Sequence, residues 1–209
     1  MTHRRIALAA LGLVIAGCAS PPSHFYTLNS TLDPGAGPGV GVSPQSGGPT
    51  VAVGPVSIPA QVDRPEILVS EGANRVRPQQ TERWAAPLAD NIARVVAENL
   101  ADLLATARVT RFPQTTDMAA AYRVVIDVQG FTSVPDEAAT LAAVWTVRRT
   151  HDGRSETGRT RVREPVTGAG YEALAAAHSH ALATLSRDIA DALRRLTTAV
   201  PVGDAGSAR

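Results

Sequence analysis

Alternation of apolar and polar residues marks the strands of this chain. The clearest case is residues 122–129, where Tyr122, Val124, Ile126 and Val128 face one way and polar residues face the other. Strands over residues 140–149 and 157–166 follow, with a turn at Asp152-Gly153, so the three segments predict an antiparallel meander. Shorter runs predict strands over residues 50–58, 67–70 and 74–77, the last two forming a hairpin about residues 71–73.

Two segments instead repeat apolar residues at spacings of three and four, which is typical of amphipathic helices. The first begins near Pro87 and runs to about Leu104, with Asp90, Arg94 and Glu98 on its polar face. The second runs over residues 171–198. Because each helix has a single apolar face, we predict an α+β fold, an antiparallel sheet with two amphipathic helices packed on one face.

The first residues have neither pattern. His3-Arg4-Arg5 is followed by eleven uncharged residues, 6–16, which is too short to span a bilayer, since about 20 apolar residues are needed. Residues 1–17 therefore have the form of a secretory signal peptide. The next residue, Cys18, is the only cysteine in the sequence.

The residues Ile15-Ala16-Gly17-Cys18 resemble the lipobox of bacterial lipoproteins. This resemblance implies that Cys18 is acylated and becomes the first residue of the mature protein; an ordinary secretory signal with a cysteine at the cut is the alternative. Two or more acyl chains anchor a protein stably. Ala19, in place of an aspartate, implies sorting to the outer membrane by resemblance to the rule of bacteria with two membranes.

The mature chain is expected to form one domain. Residues 18–24 are predicted to be a lipidated tether, and the aromatic, β-prone residues 25–28 are expected to dock on the domain. Residues 29–49 are rich in Gly, Pro and Ser and predict a flexible insertion. The domain is placed at residues 25–200, and residues 201–209 are predicted to be a disordered tail.

Charge excludes one class of partner. All 20 basic residues are arginines, and removal of the signal peptide leaves 18 of them against 19 acidic residues. General nucleic-acid binding requires a concentrated positive surface, so a nearly neutral mature chain argues against nucleic acid.

Catalytic and metal motifs are missing from the sequence: it has no nucleophile elbow, zinc-protease helix motif or phosphate loop. His178 and His180 are the only close histidine pair, but residues two apart on a helix face opposite ways and cannot share a metal. We interpret His178, which lies on the apolar stripe, as a buried histidine whose ring nitrogens are satisfied by the sheet, with a catalytic base as the alternative. No catalytic residue, cofactor or metal site is predicted.

One hairpin concentrates arginines. Arg159, Arg161 and Arg163 alternate with Thr160 and Val162, so they share one face of their strand. Two readings stay open: a solvated sheet face, or a surface for an acidic partner or phospholipid headgroups, which guanidinium groups suit.

Several short motifs occur in order along the mature chain: residues 25–28 (FYTL), 53–59 (VGPVSIP), 63–65 (DRP), 82–88 (ERWAAPL) and 177–189 (AHSHALATLSRDI). As an ordered set they resemble the auxiliary lipoproteins of ABC-type transporters, the PqiC group, which accompany membrane-anchored MCE proteins in lipid transport. The resemblance covers nearly all of the mature chain.

The resemblance implies a non-enzymatic periplasmic protein of a Gram-negative bacterium, held on the outer membrane by Cys18. Its expected partners are an MCE-domain protein and its ABC permease, with an oligomer matching an MCE hexamer as one stoichiometry. The loop residues Asp63 and Arg64 suit partner recognition, or form an internal pair that stabilises their turn. Two rival functions are an activator of cell-wall synthesis or outer-membrane assembly, and a lipid-anchored hydrolase.

Overall fold

The computed structural model describes residues 21–32, 48–106, 108–113 and 120–198. Within these residues, eight strands form one sheet and two helices pack on it, so the α+β class is confirmed. The strands are β1 (His24–Tyr26), β2 (Val51–Ser57), β3 (Glu66–Ser70), β4 (Val76–Trp84), β5 (Val109–Arg111), β6 (Tyr122–Val134), β7 (Ala138–Arg149) and β8 (Ser155–Pro165). The helices are α1 (Leu88–Leu103) and α2 (Gly170–Thr198). No helix in the described ranges combines the length and apolar character that crossing a membrane requires.

The predicted purely antiparallel sheet is wrong, because the sheet is mixed. The meander β6-β7-β8 and the hairpin β3-β4 are antiparallel, as predicted. However, β2 lies parallel to both β5 and β6, β3 is parallel to β6, and β1 is parallel to β4. Alternation of apolar and polar residues shows which face of a strand is buried, but it does not show which strand lies beside it. Partners could therefore be predicted only for strands that a short turn joins.

A bulge in β6 sets the register of the meander. Between Tyr122 and Val128 the even-numbered residues are buried, whereas Phe131 and Ser133 are the buried positions further along. The register with β7 shifts between Val128 and Gly130, which is one extra residue on β6. Because the buried positions change from even-numbered to odd-numbered residues at the bulge, the apolar side chains of both halves of β6 face the helices.

The two helices lie side by side on one face of the sheet. Asn99 of α1 bonds to Ser186 of α2, and the Leu103 carbonyl accepts from Arg194, so contacts advance in the same direction along both helices. The core lies between this layer and the sheet, and its largest fully buried side chains include Leu88, Ile92, Leu100, Ile126, Leu141, Leu182, Leu185 and Ile189. The opposite face of the meander has no helix over it among the described elements.

Candidate functional site: the anchored edge and the open sheet face

The residues that follow the tether are part of the fold. His24, Phe25 and Tyr26 pair in parallel with Glu82, Arg83 and Trp84 at the edge of the sheet. Past this strand, Leu28 is 0% exposed. Docking of residues 25–28 is therefore confirmed. We call residues 24–30 the docked segment.

Glu82 holds the start of the docked segment. Its carboxylate accepts a hydrogen bond of 2.6 Å from the Tyr26 hydroxyl, contacts His24 Nδ1 at 3.1 Å and accepts from Thr81. The bond from Tyr26 is the main cause that lowers the pKa of Glu82. In turn, burial followed by the bond to Glu82 raises the pKa of Tyr26 to about 12. The pair is therefore a neutral phenol donating to a charged carboxylate at neutral pH.

The rest of the docked segment lies along the groove between the helices. The Asn29 amide donates to Ser179 Oγ of α2 at 3.1 Å, and Ser30 Oγ donates to Asn99 Oδ1 of α1 at 2.7 Å. Asn99, itself 0% exposed, bridges onward to Ser186. The Leu28 carbonyl accepts from Arg94. The docked segment is thus bonded to the sheet edge and to both helices, and it extends two residues into the range predicted as a flexible insertion.

This geometry shortens the predicted tether. Cys18 lies outside the described residues, as do residues 33–47 and 201–209, which hold most of the predicted insertion and the tail. Because β1 begins at His24, only residues 19–23 separate Cys18 from the sheet, so Cys18 can lie at most about 20 Å from His24 when the chain is fully extended. Phe25 is 64% exposed beside that connection.

The second candidate surface is the open face, the side of β6, β7 and β8 that points away from the helices. Arg159, Arg161 and Arg163 are all exposed on this side, as their alternation predicted. Arg163 forms an ion pair with Glu137 of the β6-β7 turn. Arg159 and Arg161 have no ion-pair partner within the described parts of the chain.

The open face also holds Arg123, predicted to point outward, and Arg148 of the arginine-rich hairpin, but sequence reasoning did not bring the two together. Arg123 of β6 lies directly opposite Arg148 of β7 in the antiparallel register. Arg123 stacks over the ring of Phe112 at 4.7 Å to its centroid, and Arg148 is exposed. The bulge in β6 creates this pair, since a regular hairpin counted from the turn would place Arg149 opposite Arg123. The reversal of buried positions along β6 is the sequence signal that indicates the bulge.

His178 is buried, as predicted, and it is enclosed by aromatic rings. It is 0% exposed, stacks on Phe131 at 3.8 Å and meets Trp84 edge-on at 6.3 Å. Ser133 Oγ of β6 lies 2.8 Å from Nε2, as predicted for a ring nitrogen bonded to the sheet, but Nδ1 has no partner among the described residues, so the prediction is wrong for that nitrogen. Burial lowers the pKa of His178 to about 3. The imidazole is neutral at neutral pH and out of reach of solutes.

Asp63 and Arg64 occupy the loop between β2 and β3, and both are exposed. The internal pair that would stabilise their turn is not formed; neither side chain has an ion-pair partner within the described ranges. The turn is held by its backbone instead, because the Arg64 amide donates to the Val62 carbonyl at 2.9 Å and Val62 is buried. Both charged groups therefore face solvent.

Two solved structures share this fold. One, of an uncharacterised protein, superposes with a TM-score of 0.66 at 16% identity and covers 83% of this chain and 99% of its own. The other, of a protein from Xanthomonas campestris, has a TM-score of 0.62 at 20% identity and covers 83% and 98%. A search of curated proteins gave no match.

The sequence itself identifies the family. The model of the ABC-type transport auxiliary lipoprotein component matches residues 26–190, which include the docked segment from Tyr26 onward, the sheet and most of α2. This is not a known enzyme family. The chain belongs to the family of ABC-type transport auxiliary lipoprotein components.

Proposed function

We propose that this protein is a non-catalytic accessory lipoprotein of an ABC/MCE-type lipid transport system, anchored by Cys18 to the periplasmic face of the outer membrane. In this role it docks the transporter tunnel, formed by an MCE-domain protein, to the membrane. The observation that carries the proposal is the docked segment. It joins the proposed lipidation site, Cys18, to the sheet edge and both helices with only residues 19–23 in between.

A short connection between Cys18 and the domain is what the proposed docking function requires. A long flexible linker would let the domain move far from the membrane surface. About six extended residues instead hold the start of β1 within about 20 Å of the lipid. The bonds of Tyr26 and Ser30 keep that connection from lengthening. A tunnel that reached this domain would therefore be held close to the bilayer.

The surfaces of the domain support recognition more than chemistry. His178, the histidine on the apolar stripe of α2, is sealed between Phe131 and Trp84 and neutral. The exposed groups offered to partners are the loop residues Asp63 and Arg64 and the arginines of the open face. If the tunnel is a hexamer, six copies of this lipoprotein would match it.

The test is a pull-down of the lipidated protein from detergent-solubilised envelopes, with partners identified by mass spectrometry. Recovery of an MCE protein with its permease from the native protein, and not from a Cys18→Ala variant, supports the proposal. A second variant, Tyr26→Phe, keeps the anchor but weakens the docked segment, and it should reduce recovery. Recovery of a penicillin-binding protein or an outer-membrane assembly factor in place of the transporter would favour the rival function.

A further inference from the structure

We propose that the open face is the docking surface for an acidic region of a partner protein, centred on Arg123 and Arg148. The inference rests on the proposed function, because it names the chemistry of the partner with which an anchored accessory protein would engage. Its occupant is a protein segment whose carboxylates meet the guanidinium groups and whose apolar side chains meet the floor between them.

The first argument is the like-charge pair. Residues directly opposite in an antiparallel ladder have their Cβ atoms about 5 Å apart, and like charges in that position destabilise the sheet. Arg123 and Arg148 hold this relationship without a carboxylate partner in the described ranges. A bound carboxylate would relieve the repulsion and accept from both groups, with the geometry that guanidinium favours.

The second argument is the surface beside that pair. Three-residue rows follow from the strand register: Val125, Thr146 and Thr157, then Asp127, Val144 and Arg159. In the next row, Gly130 and Ala142 lie beside Arg161. Between the charged residues the floor is made of Val, Thr, Ala and Gly, and Val125 is 38% exposed. Asp127, the acidic residue of these rows, accepts from Ser57 at 2.7 Å.

This surface differs from the one that the strand alternation indicated. Arg163 is neutralised by Glu137 and lies at the β6-β7 turn. Arg159 and Arg161 stay in the surface, and Arg123 and Arg148 extend it to the other end of the meander. Arginines along two sides of a floor of small side chains, with exposed Val125 among them, are complementary to an acidic amphipathic segment.

The position of the pair favours a protein over the membrane that holds the anchor. Tyr171 at the start of α2 contacts Tyr26 of the docked segment, with ring centroids 6.1 Å apart. At the other end, the Leu196 carbonyl accepts from Arg149, the neighbour of Arg148. These two points on α2 are about 38 Å apart at 1.5 Å per residue. The Arg123 and Arg148 pair thus lies at the end of the domain remote from the anchor.

The test measures binding of a defined acidic probe to the full lipidated protein in neutral detergent micelles. The probe is a fluorescent synthetic peptide of alternating Glu and Val, followed by anisotropy. Arg123→Gln/Arg148→Gln is compared with Arg187→Gln, which removes an exposed arginine from α2. If each guanidinium contact contributes about tenfold, the double variant should lose about a hundredfold in affinity, and the control should change less than twofold. The exposed single variant Arg148→Gln gives the same test if the double variant unfolds.

Two results would overturn the inference. One is equal peptide affinity for the double variant and the control, or no binding to the unaltered protein. The other is displacement of the peptide by a short-chain phosphatidylglycerol, together with loss of phosphatidylglycerol affinity in the same variants. That result would show that the open face binds lipid headgroups.

The pull-down separates this inference from the proposed function. Recovery of the transporter from the double variant as well as from the native protein would contradict the docking surface and leave the function standing. Peptide binding that depends on Arg123 and Arg148 supports the surface even where no transporter component is recovered, and that second result would count against the function.

Discussion

The hydroxyl of Tyr26 donates to the carboxylate of Glu82 at 2.6 Å, and this bond ties the strand that follows Cys18, the proposed lipid anchor, to the edge of the sheet. Strand β1 has only three residues, so few backbone hydrogen bonds hold it against β4. The side-chain bond therefore adds to the backbone pairing that keeps the connection between Cys18 and the domain short.

Removing this hydroxyl should release β1. The change Tyr26→Phe deletes a hydrogen bond to a charged group, which contributes about 1.5 to 3 kcal/mol. We expect faster amide hydrogen exchange across residues 24–30, by tenfold or more, with little change in the meander. Thr146→Val, which removes a hydroxyl bonded to Thr157 on the exposed side of the sheet, is the control. Unchanged exchange in the docked segment of Tyr26→Phe would show that the backbone pairing suffices.

Acid should destabilise the domain through His178. Its pKa is about 3 in the folded protein and about 6.5 when unfolded, so between these values only the unfolded state binds the proton. The free energy of unfolding should then fall as pH falls, by up to about 1.4 kcal/mol per pH unit. Glu82, whose folded pKa is lowered from 4.5, adds its own loss only in more acidic solution.

The variant His178→Phe/Ser133→Ala isolates that contribution. It keeps an aromatic ring against Phe131 and removes the hydroxyl that would be left without its partner. Urea unfolding at several pH values from 5 to 6.5 should give a slope in the native protein and a much flatter line in the variant. Equal slopes in the two proteins would mean that His178 is not the titrating group.

The sequence predicted the elements of this fold better than their arrangement. Both helices, the hairpin and the meander follow from periodicity, because one-sided burial leaves its mark on every second residue of a strand. The parallel neighbours of β2 follow from packing between distant segments, which no local pattern records. For the candidate surfaces, the alternation along β8 predicted that Arg159 and Arg161 share one face. The pairing of Arg123 with Arg148 could not be predicted in this way, because it depends on the bulge near Gly130. Glu82 and Asn99 gave no signal, since a lone polar residue reveals nothing of a partner more than 50 residues away.

Gly158 should tolerate no side chain. A Cβ atom at this position would lie 2.2 Å from the ring of Trp145, whose Nε1 donates to Thr160 Oγ1 at 3.1 Å. Thr160 in turn donates to Asp188 of α2 at 2.5 Å, so displacing the indole would disturb a link between sheet and helix. We expect Gly158→Ala to lower the free energy of unfolding by about 1 to 3 kcal/mol, measured by urea titration.

A second strand glycine provides the control for this substitution. At Gly130 the added Cβ would meet only the Ala142 methyl, at an ordinary contact distance of 3.5 Å. Gly130→Ala should therefore change stability by less than Gly158→Ala. Similar losses in the two variants would show that strand glycines matter here through their backbones and not through the space below Trp145.

The far end of the docked segment should be coupled to the helices through Asn99. Its Oδ1 accepts from Ser30 at 2.7 Å and its Nδ2 donates to Ser186 at 3.1 Å, within a buried site. Asn99→Ala opens a cavity and leaves the Ser30 hydroxyl without its acceptor, at a cost of about 2 kcal/mol. Ser30→Ala alone should cost about 1 kcal/mol.

A double-mutant cycle with both changes tests whether these losses are one interaction. If Ser30 and Asn99 act together, the double variant should lose less than the sum of the single losses by about 1 kcal/mol. Additive losses would mean that the segment is held at this end by Leu28 and the Asn29 amide alone. Coupling would instead show that the bond from Ser30 to Asn99 holds the far end of the docked segment on the helices, where it complements the bond from Tyr26 to Glu82 at the near end.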